Sequence, residues 1–271
     1  MKKTISVMWF RQDLRLQDNP ALLHAAEQGD VLPIFIYDNV TSPNFSNGAA
    51  SRGWLHHSLN SLSLSLGEKL SLFEGEPSQI FENLTQHYTI KQVCWNRCYE
   101  PWRITRDSDL KTMLTDKGIE VKTFNASLLW EPWTIGKKDG SHYKVFTPFY
   151  RKGCLSSALP RSPLPIPADA NYIKSPHSID LDSLRLLPKY RWDIELYRHW
   201  KIGESGAHND LEIFLENGLN NYKPGRNIPA KNNVSRLSPR LHFGELSPNQ
   251  VWYAASEYGD NQDVDHFCSE L

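Results

Sequence analysis

The chain has 271 residues, room for one large domain or two ordinary ones, and its 39% hydrophobic content is sufficient for a core. A formal net charge of −1 excludes attraction of nucleic acid by the whole protein, so any DNA contact must come from a local patch. No stretch approaches ~18 apolar residues, the opening MKKTISVMWF is too short in its apolar part for a signal peptide, and Cys94, Cys98, Cys154 and Cys268 lack the paired doublets of a zinc site. These patterns predict a reduced, cytoplasmic, monomeric protein with no membrane span and no metal site.

Residues 4–10 (TISVMWF) are β-branched and apolar, as in a buried strand. Asn19-Pro20 opens a helix with Leu22, Leu23 and Ala26 inward, running to Gly29. Residues 31–38 form a second strand. A longer helix carries Leu55, Leu59, Leu62 and Leu66 on one face, with Gly67 beyond it. Residues 70–75 are a third strand, Pro77 opens a helix carrying Ile80, Phe81 and Leu84, and residues 92–96 are a fourth strand. Pro101 starts a helix that stops at Gly118, and residues 121–126 are a fifth strand. This alternation predicts an α/β unit over residues 1–129: a five-stranded parallel, Rossmann-like sheet with helices on both faces. The turn after the first strand is Arg11-Gln12-Asp13-Leu14-Arg15. It has no glycine fingerprint, which argues against a dinucleotide dehydrogenase. Arg11, Asp13 and Arg15 read first as an ion-pair cluster at a strand end and second as ligand contacts.

Residues 130–199 change character, first aromatic and basic, then proline-rich, and read as an extended interdomain connection. The cations between Lys137 and Lys152 belong to its solvated face, with DNA contact the second reading. From residue 200 the pattern is helical, with Leu211, Ile213, Phe214, Leu215 and Leu219 on one helix, Val251, Ala254, Ala255 and Tyr258 on another, and a third from Asp263. A chain that stops at Leu271 inside a helical pattern reads as cut short. No acid occurs between Glu216 and Glu245, while Lys223, Arg226, Lys231, Arg236 and Arg240 do. An acid-free loop with spaced cations attracts an anion such as a phosphate. Ser238-Pro239 and Ser247-Pro248 read as N-cap and first helical position, devices that leave free amides for an anion or merely start a helix.

The run SRLSPRLHFGELSP, preceded by Tyr222 and Arg226, resembles the flavin-binding segment of the photolyase/cryptochrome family. WFRQDLRLQDNPAL at the start and KVFTPFYRKG in the connection resemble the same family. The resemblance implies that residues 200–271 begin an all-helical FAD-binding domain that continues past Leu271. It implies FAD-diphosphate contacts at Tyr222, Ser235, Arg236, Leu237 and Ser238, and a DNA contact at Arg226. Val234 stands where many members have threonine, and Asn227 where many have aspartate.

WNRCYEPWRITRD (95–107) resembles the region that holds the light-harvesting antenna, methenyltetrahydrofolate or a deazaflavin. Glu100 matches the acid that meets a pterin ring, and otherwise reads as a first-turn helix acid. Glu270 in FCSEL matches the catalytic glutamate that holds the flipped thymine pair in cyclobutane-dimer photolyases, and otherwise reads as an exposed helix residue. The resemblance thus implies a carbon–carbon lyase that repairs pyrimidine dimers in damaged DNA with reduced FAD and blue light. Its alternative is a cryptochrome, a photoreceptor without repair. In either case we expect the 271-residue chain alone to be inactive in repair, and residues 200–271 alone to expose apolar surface and aggregate.

Overall fold

β1 (Thr4–Phe10) lies at the centre of a five-stranded parallel sheet of order β3-β2-β1-β4-β5. β2 (Val31–Tyr37) and β4 (Thr89–Asn96) flank it, with β3 (Ser71–Glu74) and β5 (Glu120–Phe124) at the edges. The structure is a computed structural model and describes residues 2–41, 47–137 and 139–271. Successive side chains of a strand face opposite sides. Met8 and Phe10 accordingly pack with α1 (Pro20–Ala26) and α2 (Ala49–Ser65). Ile5, Val7 and Trp9 pack with α3 (Pro77–His87) and α4 (Pro101–Asp116). Both faces are apolar because both are covered, the arrangement expected from the sequence. β4 begins at Thr89 rather than at residue 92, because its first turn of sequence alternates exposed Thr89 and Lys91 with buried Ile90. The expected cap of α1 is present, with the Asn19 side chain accepting from the Leu22 amide at 3.1 Å.

Residues 130–199 are a strap, not a free spacer. They form a 3-10 turn (Pro132–Thr134), a short α5 (Phe146–Pro148) that runs into a π-helical turn (Phe149–Cys154), a second 3-10 turn (Leu181–Leu184) and α6 (Asp193–Tyr197). Between them the chain runs along the sheet, where Tyr172 bridges Val31 and Ile179 bridges Leu72. Leu184, Leu186 and Tyr197 enter the same core as α1 and α2. Lys137, Lys144, Arg151 and Lys152 are exposed, as the solvated-face reading expects.

The remaining helices are α7 (Glu204–Asn217), α8 (Tyr222–Gly225), α9 (Ser238–Phe243), α10 (Pro248–Ser256) and α11 (Gln262–Cys268). Their apolar faces meet Ile135, Tyr150 and Cys154 of the strap in a separate core.

Buried polar groups join the two cores. Arg240 and Glu245 are fully buried and 2.6 Å apart. Glu245 also accepts from the Trp54 indole at 2.9 Å and from the Ser58 hydroxyl of α2. The Glu204 carboxylate accepts from the Leu16 and Gln17 amides, both at 2.8 Å. Asp18 is completely buried, pairs with Arg161 of the strap and accepts from the Ser247 hydroxyl.

The ion-pair reading of the first turn holds for Arg11, which pairs with Asp107. For Arg15 it needs correcting. Its guanidinium donates to the carbonyls of Asp18, Ala126 and Gly244, because the turn folds beneath three loop carbonyls that need donors. Gly244 has φ +68°, and a Cβ there would lie 2.1 Å from the Gln12 carbonyl oxygen, so only glycine fits this approach.

Candidate functional site

The acid-free loop leaves α8, turns at Arg236 and enters α9. Arg236 has φ +54°, a left-handed conformation that side chains rarely adopt. Leu237 already has near-helical angles, φ −82° and ψ −8°, so α9 starts one step earlier than the serine pattern suggests. Ser238 is therefore the first helical residue and not the N-cap, and its side chain makes no capping bond. The second device is as expected: Ser247 caps α10 in a capping box with Gln250. With six residues and a carbonyl-engaged C-terminus, α9 serves mainly to place its flanking side chains.

Ser235 and Arg236 line a cleft of about 360 Å³ with His199, Trp200, Asp210, Phe214 and Val234. Leu237 is buried beneath it and Ser238 is exposed beside it. Among the described residues Arg236 makes no ion pair or hydrogen bond, so its charge is available to a ligand. Asp210, the one carboxylate in the wall, is taken by Arg240, which donates from Nη2 at 2.8 Å and from Nε at 3.1 Å. The wall thus presents net positive charge and the Ser235 hydroxyl, which accepts from the Leu237 amide at 3.4 Å and still has its O–H to donate, a combination that suits a phosphate group. Val234, where a hydroxyl was missed in the sequence, is exposed at the rim.

Tyr222 does not line this cleft. Its ring is buried edge-on against Phe214 and Phe267, with the Arg226 guanidinium 5.4 Å from its centroid. Arg226 in turn meets Glu270 at 2.6 Å, with His266 within 3.9 Å of the same carboxylate. The hydrogen bond from Arg226 holds the Glu270 carboxyl below its ordinary range, despite a smaller opposing effect of burial. Asp263, from the same helix, accepts from the Asn221 and Lys223 amides at 2.9 Å each. The acids missing from the loop are therefore supplied by Asp263 of α11 and by Glu270 just beyond its end. The structure brings together Tyr222, Arg226 and Glu270 in one cluster, and Ser235 to Ser238 in another. Phe214 touches both, packing against Tyr222 and lining the cleft.

A third site lies at the carboxyl ends of β1 and β2, where ligands of open α/β sheets sit. Trp9, Arg11, Tyr37, Asp38, Arg103 and His242 are among the residues around a cavity of about 90 Å³. Arg106 bridges Asp38 at 3.0 Å and Asp107 at 2.7 Å, and its guanidinium lies 4.9 Å from the Trp9 ring centroid. Burial, helped by Arg103, pushes the His242 imidazole below its ordinary range, so it is neutral at pH 7. Glu100 stands at the N-cap of α4 without capping it, 3.5 Å from Arg103 Nε, and does not itself line the cavity. His242 and Phe243 come from α9, so one helix carries a wall of this cavity and adjoins the cleft at Ser235–Arg236. Arg240, read in the sequence as one of the loop's anion-attracting cations, is instead buried and paired with Asp210 and Glu245. Sequence reasoning missed Glu245, His199 and Trp200: nothing around Glu245 in the run shows that its partners are Trp54 and Ser58, and no sequence signal marks the others.

All four cysteines are unpaired and buried; burial pushes Cys94 up to about 12 and Cys268 to about 11. Among the described residues no helix is long and apolar enough to cross a membrane.

The sequence profile described as DNA photolyase matches residues 6–168. A deoxyribodipyrimidine photo-lyase from Agrobacterium fabrum is 38% identical over the whole chain, which covers 58% of that protein. Cryptochrome-2 from Arabidopsis thaliana is 35% identical over 94% of the chain, which covers 43% of it. The chain thus spans about half the length of these curated relatives. Among solved structures, a bacterial class III photolyase from Agrobacterium tumefaciens superposes with a TM-score of 0.89 at 37% identity, over all of this chain and 57% of that one.

Proposed function

Since this chain belongs to the DNA photolyase family, we propose that it forms the sheet-side half of a flavoprotein that repairs cyclobutane pyrimidine dimers in DNA under blue light. The observation that carries this reading is the pairing of Arg226 with Glu270 beside an acid-free loop whose Arg236 is unengaged. Ser235, Arg236, Leu237 and Ser238 hold the FAD diphosphate, and Tyr222 braces the loop or meets the same group. When bound, reduced FAD supplies one electron to the dimer after absorbing light, and the protein's part is to position the two. Arg226 contacts the DNA backbone. Glu270, kept as an anion by Arg226, accepts hydrogen bonds from the edge of a flipped pyrimidine pair.

At about 90 Å³ the cavity bounded by Trp9, Arg103 and His242, with Glu100 nearby, seats only part of an antenna such as a folate or a deazaflavin, the rest lying outside it. Neutral His242 and the flanking arginines offer hydrogen bonds and positive charge to such a heteroaromatic ring. The likeness to a plant cryptochrome supports a second reading, a photoreceptor with the same cofactor and no repair.

The test is flavin absorption by the purified chain after incubation with FAD, followed by binding to matched oligonucleotides with and without one thymine dimer. Bound flavin with a preference for the dimer that is lost in Glu270→Ala supports the repair reading. Bound flavin with no preference favours the photoreceptor, and no bound flavin sinks both for this chain. Repair by the chain alone under light would overturn the expectation that it needs further polypeptide.

A further inference from the structure

We propose that Cys98 is a peroxide-reactive thiol, oxidised by hydrogen peroxide to a sulfenic acid at a sulfur attended by Arg11 and Arg103. The site stands apart from the flavin and antenna readings and needs neither cofactor. All four cysteines are free, and three of them are in inert surroundings. Cys94, Cys154 and Cys268 are 0%, 2% and 5% exposed. Burial pushes all three thiols up, Cys94 to about 12 and Cys268 to about 11. None of them accepts a hydrogen bond from a cation among the described residues. A thiol buried in such surroundings is a poor nucleophile.

Cys98 differs on both counts. It retains 9% of its surface, and its sulfur accepts from Arg103 Nη1 at 3.3 Å. The Arg11 charge also interacts with Cys98. The Arg11 side chain is 4% exposed, and Asp107 engages its Nη1 alone. Its Nε and Nη2 have no hydrogen-bond partner among the described residues. Two idle donors on a buried guanidinium are costly until something accepts from them. Glu100 approaches Arg103 at Nε, 3.5 Å away, and leaves Nη1 to the sulfur. Arg11 and Arg103 both line the cavity of about 90 Å³ at the carboxyl ends of β1 and β2. A water-sized molecule needs only ~10–15 Å³ of such space, so a peroxide fits there whole.

The reaction is a two-electron displacement. The thiolate sulfur attacks one peroxide oxygen, an S–O bond forms and the O–O bond breaks. Sulfur loses two electrons and each peroxide oxygen gains one. The leaving oxygen departs as hydroxide and takes a proton from solvent to become water, while the other keeps its proton as S–OH. Negative charge passes from the sulfur to the leaving oxygen during the step. Fixed guanidinium donors stabilise that charge without having to reorganise.

The experiment exposes the folded 271-residue chain to hydrogen peroxide in the presence of dimedone, which traps sulfenic acids, and reads the labelled peptides by mass spectrometry. We expect Cys98 to be labelled about tenfold or more faster than Cys94, Cys154 or Cys268. Arg103→Gln, which removes the charged donor to the sulfur, should slow labelling of Cys98 by about tenfold or more. Arg103→Lys, which keeps a cation there, should recover much of the rate. Labelling of Cys98 no faster than that of Cys268 overturns the proposal. So does an unchanged Cys98 rate in folded Arg103→Gln, because exposure alone would then account for the labelling. If Arg103→Gln unfolds, all four cysteines become labelled together, and the ranking in the unaltered chain decides the matter with Arg103→Lys.

Discussion

The two edges of the helical segment treat charge in opposite ways. At the edge against the sheet, Arg240 and Glu245 are fully buried, and every partner they have is protein. At the outer edge, Arg226 and Glu270 form an equally short pair but remain partly in water, with side chains 28% and 43% exposed. The inner pair is architecture, since a buried ion pair offsets its desolvation only while it is intact. The outer pair is screened and exchangeable, so an outside group can replace either member at little expense to the fold.

The sharpest way to break this contrast is Arg240→Ala, which leaves Glu245 buried without its cation. We expect about 3–5 kcal/mol of destabilisation, read as a shift of the urea midpoint and a fall in Tm of roughly 6–20 °C. The double variant Arg240→Met with Glu245→Leu should recover much of that loss; a double variant as unstable as the single would show that the pair is not the hub. Gly244→Ala comes next. It places a Cβ against Gln12 in a left-handed backbone and should be destabilised by roughly 2–4 kcal/mol, measured in the same titration. Ser247→Ala removes the α10 cap and a donor to Asp18, for about 1–2 kcal/mol.

Acid should act on the inner region before the outer one. Burial lowers the pKa of His56, His57 and His242 in the folded state. Below about pH 6.5 the unfolded chain binds these protons more readily, so stability falls as pH drops from there towards the depressed folded values. Tm measured between about pH 7.5 and pH 5.5 should decline, and less steeply in a His56→Gln, His57→Gln variant. Glu270 has the same sign at lower pH: its contribution is present above the ordinary glutamate pKa and disappears as pH falls through the lowered one. Because the pair is exposed, Glu270→Gln should change stability by less than ~1 kcal/mol. A larger loss would place Glu270 with the inner, structural charges and remove the reason to give it to DNA.

The sheet unit was legible because its signal is local. Runs such as TISVMWF are apolar throughout only when both faces are covered, and the proline and asparagine starts of helices need no distant partner. The charged residues were less legible, for a physical reason. Arg15 looks like Arg11 in the sequence, but one serves carbonyls and the other a carboxylate, a choice made by which loops fold over them. Ser238 and Ser247 both precede proline, but only Ser247 is followed three positions on by a glutamine that can return the bond. The acid-free loop is cationic only in part, since Arg240 is buried against Asp210 and Glu245. Its compensation by Asp263 and Glu270 depends on α11 folding back beside α8, which no spacing in the loop reveals.

α9 has one further consequence. It spans six residues, about 9 Å at the rise of an α-helix. His242 and Phe243 at its end are in the wall of the sheet-side cavity, and Ser235 and Arg236 just before its start are in the wall of the cleft beside Trp200. The two walls therefore belong to a single short, tightly anchored backbone element, so a displacement of α9 would reshape the cavity and the cleft at once.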